Sequence, residues 1–160
     1  MGIKKRIRLQ YQVEQLYNRY ASLLNDGPLE EWPALFCEEC FYAVTPRENH
    51  EADLPLAIMR CESRAMLEDR IYSVRETMVY EPRYTRHHIT NVQVLDENEG
   101  LISTTANYTV IETLTDELPK ILNSGKYLDK IKVDEGEYRF VEKCCVYDSV
   151  LVPNSIIYPV

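Results

Sequence analysis

Cys37-Glu38-Glu39-Cys40 is a C-x-x-C, a spacing that can start a zinc site or a redox dithiol. A structural zinc needs a second pair of ligands, and the remaining cysteines are Cys61, Cys144 and Cys145. Cys144 and Cys145 are adjacent, and neighbouring side chains of a strand point to opposite faces, so the two do not close one tetrahedral site. The carboxylates of Glu38 and Glu39 disfavour a thiolate, which argues against redox use of the motif. The cysteines therefore read as small core or boundary residues. Their odd number fits reduced thiols and a cytoplasmic chain.

The histidines are His50, His87 and His88. Non-haem iron takes two histidines and a carboxylate. A strand across residues 84–95 would send His87 and His88 to opposite faces, leaving only His50 with one of them as a conceivable pair. No H-x-x-x-H, H-E-x-x-H or Cys-x-His with Cys-x-x-His is present, so the spacing supplies no mononuclear iron or Rieske ligand set. Twelve tyrosines could line a pocket in which an inward His or Tyr with an Asp partner does acid–base work. The favoured reading is that Tyr17, Tyr20 and Tyr108 form an amphipathic core with their hydroxyls satisfied at the rim. P-loop, G-x-G-x-x-G and G-x-S-x-G patterns are absent, and the Asn107-Tyr108-Thr109 sequon falls in the middle of an expected strand.

Charge narrows the partners. Across 160 residues, Lys plus Arg is 18 and Asp plus Glu is 26, a net charge of −8 that repels a phosphate backbone. Nucleic acid is not an expected partner. No apolar run reaches the ~18 residues of a membrane span, and Met1-Gly2-Ile3-Lys4-Lys5-Arg6 leads into no apolar signal segment.

The elements that must position these residues follow from periodicity. Val13, Leu16, Tyr17, Tyr20, Ala21 and Leu24 give a helix over 7–24, with Gly27 as its stop. Leu29, Trp32, Leu35 and Phe36 mark a short second helix, and Phe41–Val44 a brief strand ended by Pro46. Residues 47–53 are charged and aperiodic, hence a loop. Met66, Leu67, Ile71 and Val74 give a third helix over about 63–77, with Ser63 as its N-cap. Its Arg64, Glu68, Asp69, Arg70, Arg75 and Glu76 make either a solvated face or an ion-pair surface. Period two then predicts strands over 88–95, 101–113, 122–133 and 140–149, a bulge at Gly125, and turns at 96–100 and 134–136. Residues 150–160 are apolar with two prolines, an edge or irregular arm that should dock on its own sheet or on another chain. Helices followed by a strand meander make one α+β domain over 1–160.

Several stretches resemble the small (beta) subunits of aromatic-ring-hydroxylating Rieske non-haem iron oxygenases. They are Glu31-Trp32-Pro33-Ala34-Leu35-Phe36, Pro46-Arg47-Glu48-Asn49-His50-Glu51 with Leu54-Pro55-Leu56, Glu62-Ser63-Arg64-Ala65-Met66-Leu67-Glu68-Asp69-Arg70, and Tyr84-Thr85-Arg86-His87. The end of the chain, Val146-Tyr147-Asp148-Ser149 and Pro153-Asn154-Ser155-Ile156-Ile157-Tyr158-Pro159, is similar to family members that act on aromatic acids such as salicylate, anthranilate or terephthalate.

The resemblance implies a cone-shaped fold like nuclear transport factor 2 (cystatin-like), with N-terminal helices packed on a strongly curved antiparallel sheet. It implies a three-plus-three hexamer with a large (alpha) subunit, and self-association as a trimer. That large subunit would hold the 2Fe-2S Rieske cluster and the mononuclear Fe(II). Electrons would come from NAD(P)H through a ferredoxin and a separate reductase. The small subunit would be mainly structural, with no catalytic, cofactor or metal residue of its own. Arg47, Glu48, Asn49, His50, Arg64, Arg70, Arg86, His87 and Tyr158 are the expected partner-interface residues, since charged loops flanked by apolar surface suit a polar-rimmed interface. The competing readings are a free-standing isomerase or dehydratase on the same fold, and a small-molecule-binding protein.

Overall fold

The structure is a computed structural model that describes residues 2–76, 81–151 and 156–160. Helix α1 covers Ile3–Asn25, and a seven-residue 3-10 helix covers Leu29–Leu35. Strand β1 is Phe36–Pro46, α2 is Arg47–Glu51, β2 is Met59–Cys61 and α3 is Arg64–Glu76. Strands β3 (Arg83–Asn98), β4 (Leu101–Leu114), β5 (Lys120–Asp134) and β6 (Glu137–Tyr147) complete the regular structure among the described residues.

α1 buries Leu9, Val13, Leu16, Tyr17, Tyr20, Leu23 and Leu24, a stripe at three- and four-residue spacing that faces the sheet. It begins earlier than the apolar stripe predicts. Residues 3–8 are exposed and rich in Lys and Arg, which favour helix without needing a buried face. The charged 47–53 segment is likewise more ordered than a loop. Its first five residues wind into α2, and the Asp53 N–H closes it on the His50 carbonyl at 3.2 Å. Ser63 caps α3, its Oγ accepting the Met66 N–H at 3.3 Å.

The sheet has the order β2-β1-β6-β5-β4-β3. Its pairs are antiparallel except β1 with β6, which run parallel. The sheet is thus antiparallel as expected, with this one parallel pair as its exception. The first strand returns to the last through the whole meander, so its direction is not set by a hairpin. β1 is also longer than the expected 41–44 and takes in the whole C-x-x-C. The β3–β4 turn narrows to Glu99-Gly100 and the β5–β6 turn is Glu135-Gly136, both with positive φ at each residue, as tight hairpins require.

The expected bulge at Gly125 is displaced. Val110 pairs Asn123 and Ile111 pairs Ile121, so the extra residue is Leu122. Gly125 serves close approach instead. A Cβ placed there would lie 2.0 Å from the Val146 carbonyl oxygen and 2.7 Å from the Tyr147 Cα. β3 breaks register twice, between Thr90 and Gln93 and between Val94 and Asp96, with Asn91 at φ 54°.

Candidate functional site

Two rows of side chains cross the inner face of the sheet. Thr104, Asp129, Lys143 and Tyr42 are successive register partners on β4, β5, β6 and β1. One step along, Ala106, Tyr127, Cys145 and Val44 form the next row. All eight are buried. Tyr17 and Tyr20 of α1 close over them.

The centre of this interior is a fully buried ion pair. Lys143 Nζ donates to Asp129 Oδ2 at 2.8 Å, and both side chains are 0 % exposed. Tyr17 Oη donates to the same carboxylate oxygen at 2.5 Å and lies 3.0 Å from Thr104 Oγ1. The ammonium sits 3.5 Å from the Tyr127 ring centre, 4.4 Å from Tyr20, 4.6 Å from Phe140 and 4.8 Å from Tyr17, an aromatic cage for its remaining N–H bonds. Burial raises the Asp129 carboxyl, opposed by Lys143 and by the Tyr17 hydrogen bond. Burial also raises the Tyr17 phenol, and Asp129 adds to that, so the hydroxyl stays a donor. The inward Tyr–Asp pair that sequence reasoning allowed for acid–base work thus exists as Tyr17–Asp129, and its carboxylate is already committed to Lys143.

The other half of the interior holds the chain's own arm. Val160 is 1 % exposed. Its carbonyl oxygen accepts hydrogen bonds from Tyr20 Oη at 2.5 Å, Tyr42 Oη at 3.3 Å and Cys145 Sγ at 3.3 Å, and its N–H donates to Tyr42 Oη at 3.1 Å. His87 faces the same region. Its ring stands edge-on to Tyr20, and Nδ1 lies 2.8 Å from Asn25 Oδ1. Burial pushes the His87 pKa down to about 4, with the Pro159 backbone pulling the other way. His88 is exposed, so the two histidines do point to opposite faces.

The cysteines are buried and free. Cys145 faces the interior, whereas Cys144 faces outward and has its pKa pushed up to about 12, chiefly by burial and then by Glu142. Burial likewise lifts Cys40 to about 11. Among the described residues, no three His, Cys, Asp or Glu side chains gather where they could hold a metal ion, and no helix is long and apolar enough to cross a membrane.

The residues singled out from sequence fall into two groups. Arg47, Glu48 and His50 are exposed on and beside α2, and Asn49 Nδ2 there donates to the Leu56 carbonyl at 3.1 Å. Arg47 pairs with Asp148, and Arg86 pairs with Asp26 at 2.8 Å, all four at the surface. The others are tied inward. Arg64 donates to the Phe36 carbonyl from Nε at 2.9 Å and from Nη2 at 2.5 Å. Arg70 Nη2 donates to the carbonyls of Ile156 at 3.0 Å and Ile157 at 3.1 Å. His87 is buried, and Tyr158 packs half-buried against the core. Asp129, Lys143, Tyr42 and Tyr127 escaped sequence reasoning. The available signal was Asp129 and Lys143 standing at inward positions of two expected strands.

Comparison with known proteins agrees with this architecture. The model of the ring hydroxylating beta subunit family matches residues 19–154. The anthranilate 1,2-dioxygenase small subunit of Burkholderia cepacia is 31 % identical over 94 % of this chain and 93 % of its own length. A solved structure from Novosphingobium aromaticivorans, described as the beta subunit of an aromatic-ring-hydroxylating dioxygenase, superposes with TM-score 0.85 at 31 % identity, covering 94 % of this chain and 95 % of that one. A second, described as a scytalone dehydratase from the same organism, shares the cone-shaped fold with TM-score 0.70 at 19 % identity, covering 89 % of this chain and 86 % of that one. A curved sheet closed over α1, matched across nearly its whole length by small oxygenase subunits, places this chain in the ring-hydroxylating beta-subunit family.

Proposed function

We propose that this chain braces a catalytic large subunit in a multicomponent oxygenase that hydroxylates an aromatic acid of the anthranilate or salicylate class. The carrying observation is the occupied interior. The place where a pocket enzyme on this fold would act is filled by the arm, and its charged groups are spent on one another. In this reading the large subunit holds the Rieske cluster and mononuclear Fe(II), and NAD(P)H supplies electrons through a separate reductase. The assembly is three large and three small subunits in the cytoplasm, the small ones meeting as a trimer.

The proposed contact surface centres on α2 and its surroundings. Arg47, Glu48, Asn49 and His50 stand beside Leu54, Leu56 and Ile58, which are exposed apolar residues. A groove of about 270 Å³ runs between them, lined by Phe41, Thr45, His50, Leu54, Leu56 and Arg60 among others. Charge around an apolar centre suits a subunit contact. Arg86 adds a second charged point at the surface. Arg64, Arg70, His87 and Tyr158 would act from behind by fixing β1, the arm and the β3 entry.

Co-expression with the large chain of a ring-hydroxylating oxygenase tests this. A stable hetero-oligomer is expected, with iron and acid-labile sulfide only in the large chain. Failure of the two chains to co-purify, or turnover by the small chain alone, would overturn the proposal.

A further inference from the structure

Arg8, Gln12, Gln15 and Arg19 follow one another at spacings of four, three and four residues, which sets them along one flank of α1. That flank lines a groove of about 370 Å³, to which Leu35 at the end of the 3-10 helix and Tyr138 of β6 add apolar surface. Among the described residues, none of the four polar side chains has a hydrogen bond or an ion pair within the chain. The arginines elsewhere are spent. From Arg47 to Arg139, each donates to a carboxylate or a backbone carbonyl. The exceptions are Arg6, Arg8 and Arg19, all on α1. Glu137 is the only carboxylate among the described residues that line the groove, and Arg139 Nη2 holds it at 3.6 Å. A chain of net charge −8 thus keeps two uncompensated guanidinium groups on one groove.

We propose that this groove docks an extended acidic segment of another protein, with one carboxylate on Arg8, a second on Arg19, and the carboxamides of Gln12 and Gln15 taking peptide groups between them. A guanidinium presents paired N–H donors that match a carboxylate. A carboxamide carries a donor and an acceptor, as a peptide group does. Along the helix the two arginines stand about 16.5 Å apart, and an extended chain advances about 3.3 Å per residue. Carboxylates about five residues apart therefore meet both, whereas a dicarboxylate the size of glutarate is too short. The overall negative charge does not oppose this at close range, because at about 0.1 M salt charges are screened beyond about 10 Å. The proposal goes beyond the bracing role and does not rest on it.

The test uses the full chain, isotope-labelled for amide NMR, and two blocked peptides of equal composition and charge. In acetyl-Glu-Ser-Ala-Ser-Ala-Glu-amide the carboxylates are spread, and in acetyl-Ser-Ala-Glu-Glu-Ser-Ala-amide they are adjacent. The spread peptide should shift amide signals of residues 8–19 and 136–138 saturably. The adjacent one reaches a single arginine and should bind about fivefold more weakly, the worth of one exposed ion pair. Arg8→Gln and Arg19→Gln keep a good helix former at exposed positions, so the melting temperature should hold. Each should weaken the spread peptide about fivefold. Absence of saturable shifts, shifts confined to other elements, equal affinity for the adjacent peptide or for glutarate, or either arginine variant binding as the unaltered chain does, would overturn the proposal.

Discussion

Lys143 and Asp129 face each other directly across β5 and β6, 2.8 Å apart and sealed from solvent. Each neutralises the other at a depth where neither would stand alone. Truncating one partner leaves a buried unpaired charge, which costs about 3–5 kcal/mol, whereas an apolar pair of similar volume is often neutral. Asp129→Ala and Lys143→Ala should each destabilise by that amount in urea unfolding. Asp129→Leu combined with Lys143→Met should recover most of it, short of what Tyr17 loses with its acceptor. A double variant no more stable than the singles would refute this account of the pair.

His87 makes stability pH-dependent in a definite direction. Its folded pKa is held down at about 4 against 6.5 for the free side chain, so between those values the unfolded chain binds more protons. The stabilisation is fully present above pH 6.5 and disappears as pH falls through 4, up to about 3 kcal/mol. His87→Gln should flatten the dependence of the unfolding midpoint on pH within that window, read by denaturant titration at several pH values.

Gly125 lies where β5 passes close against the β6 backbone. Gly125→Ala brings a Cβ against the Val146 carbonyl and the Tyr147 Cα, backbone atoms with no rotamer to escape through. Overpacking of this kind costs about 1–3 kcal/mol or more. Calorimetry should show the loss, and amide exchange should rise first along β5 and β6. An unchanged melting temperature would contradict the close approach.

Arg47 and Arg86 separate assembly from folding. Their ion pairs with Asp148 and Asp26 are exposed, so each contributes about 0–1 kcal/mol to the chain itself. Arg47→Glu with Arg86→Glu should leave the isolated chain's melting temperature nearly unchanged. Co-purification with the large chain should fall at least tenfold, measured by native mass or sedimentation. Unimpaired assembly would move the contact surface elsewhere.

Much of this architecture is visible in the order of residues because one-sided burial writes itself as periodicity. Leu9 to Leu24 and Leu67 to Val74 read as helix, and the alternation from Ile102 to Val110 reads as strand. What is not visible is what depends on meetings across the chain. β2 is three residues long and exists only by pairing β1. The Asp129–Lys143 pair needs the β5–β6 register, which the extra residue at Val141 shifts between Lys130 and Ile131. Residues 150–160 announce an apolar arm by composition, but that its end lies among Tyr20, Tyr42 and Cys145 follows from no local pattern. Val152–Ser155 lie outside the described residues.

The two ends of the sheet carry a consequence for a subunit made in company. One margin is β2, with only three residues to offer. The other is β3, twice out of register and studded with charge. Neither gives an incoming strand a straight run of open peptide groups, the template on which chains stack into aggregates. A cell that produces more of this protein than its partner can absorb should therefore accumulate the surplus in soluble form rather than as inclusion bodies.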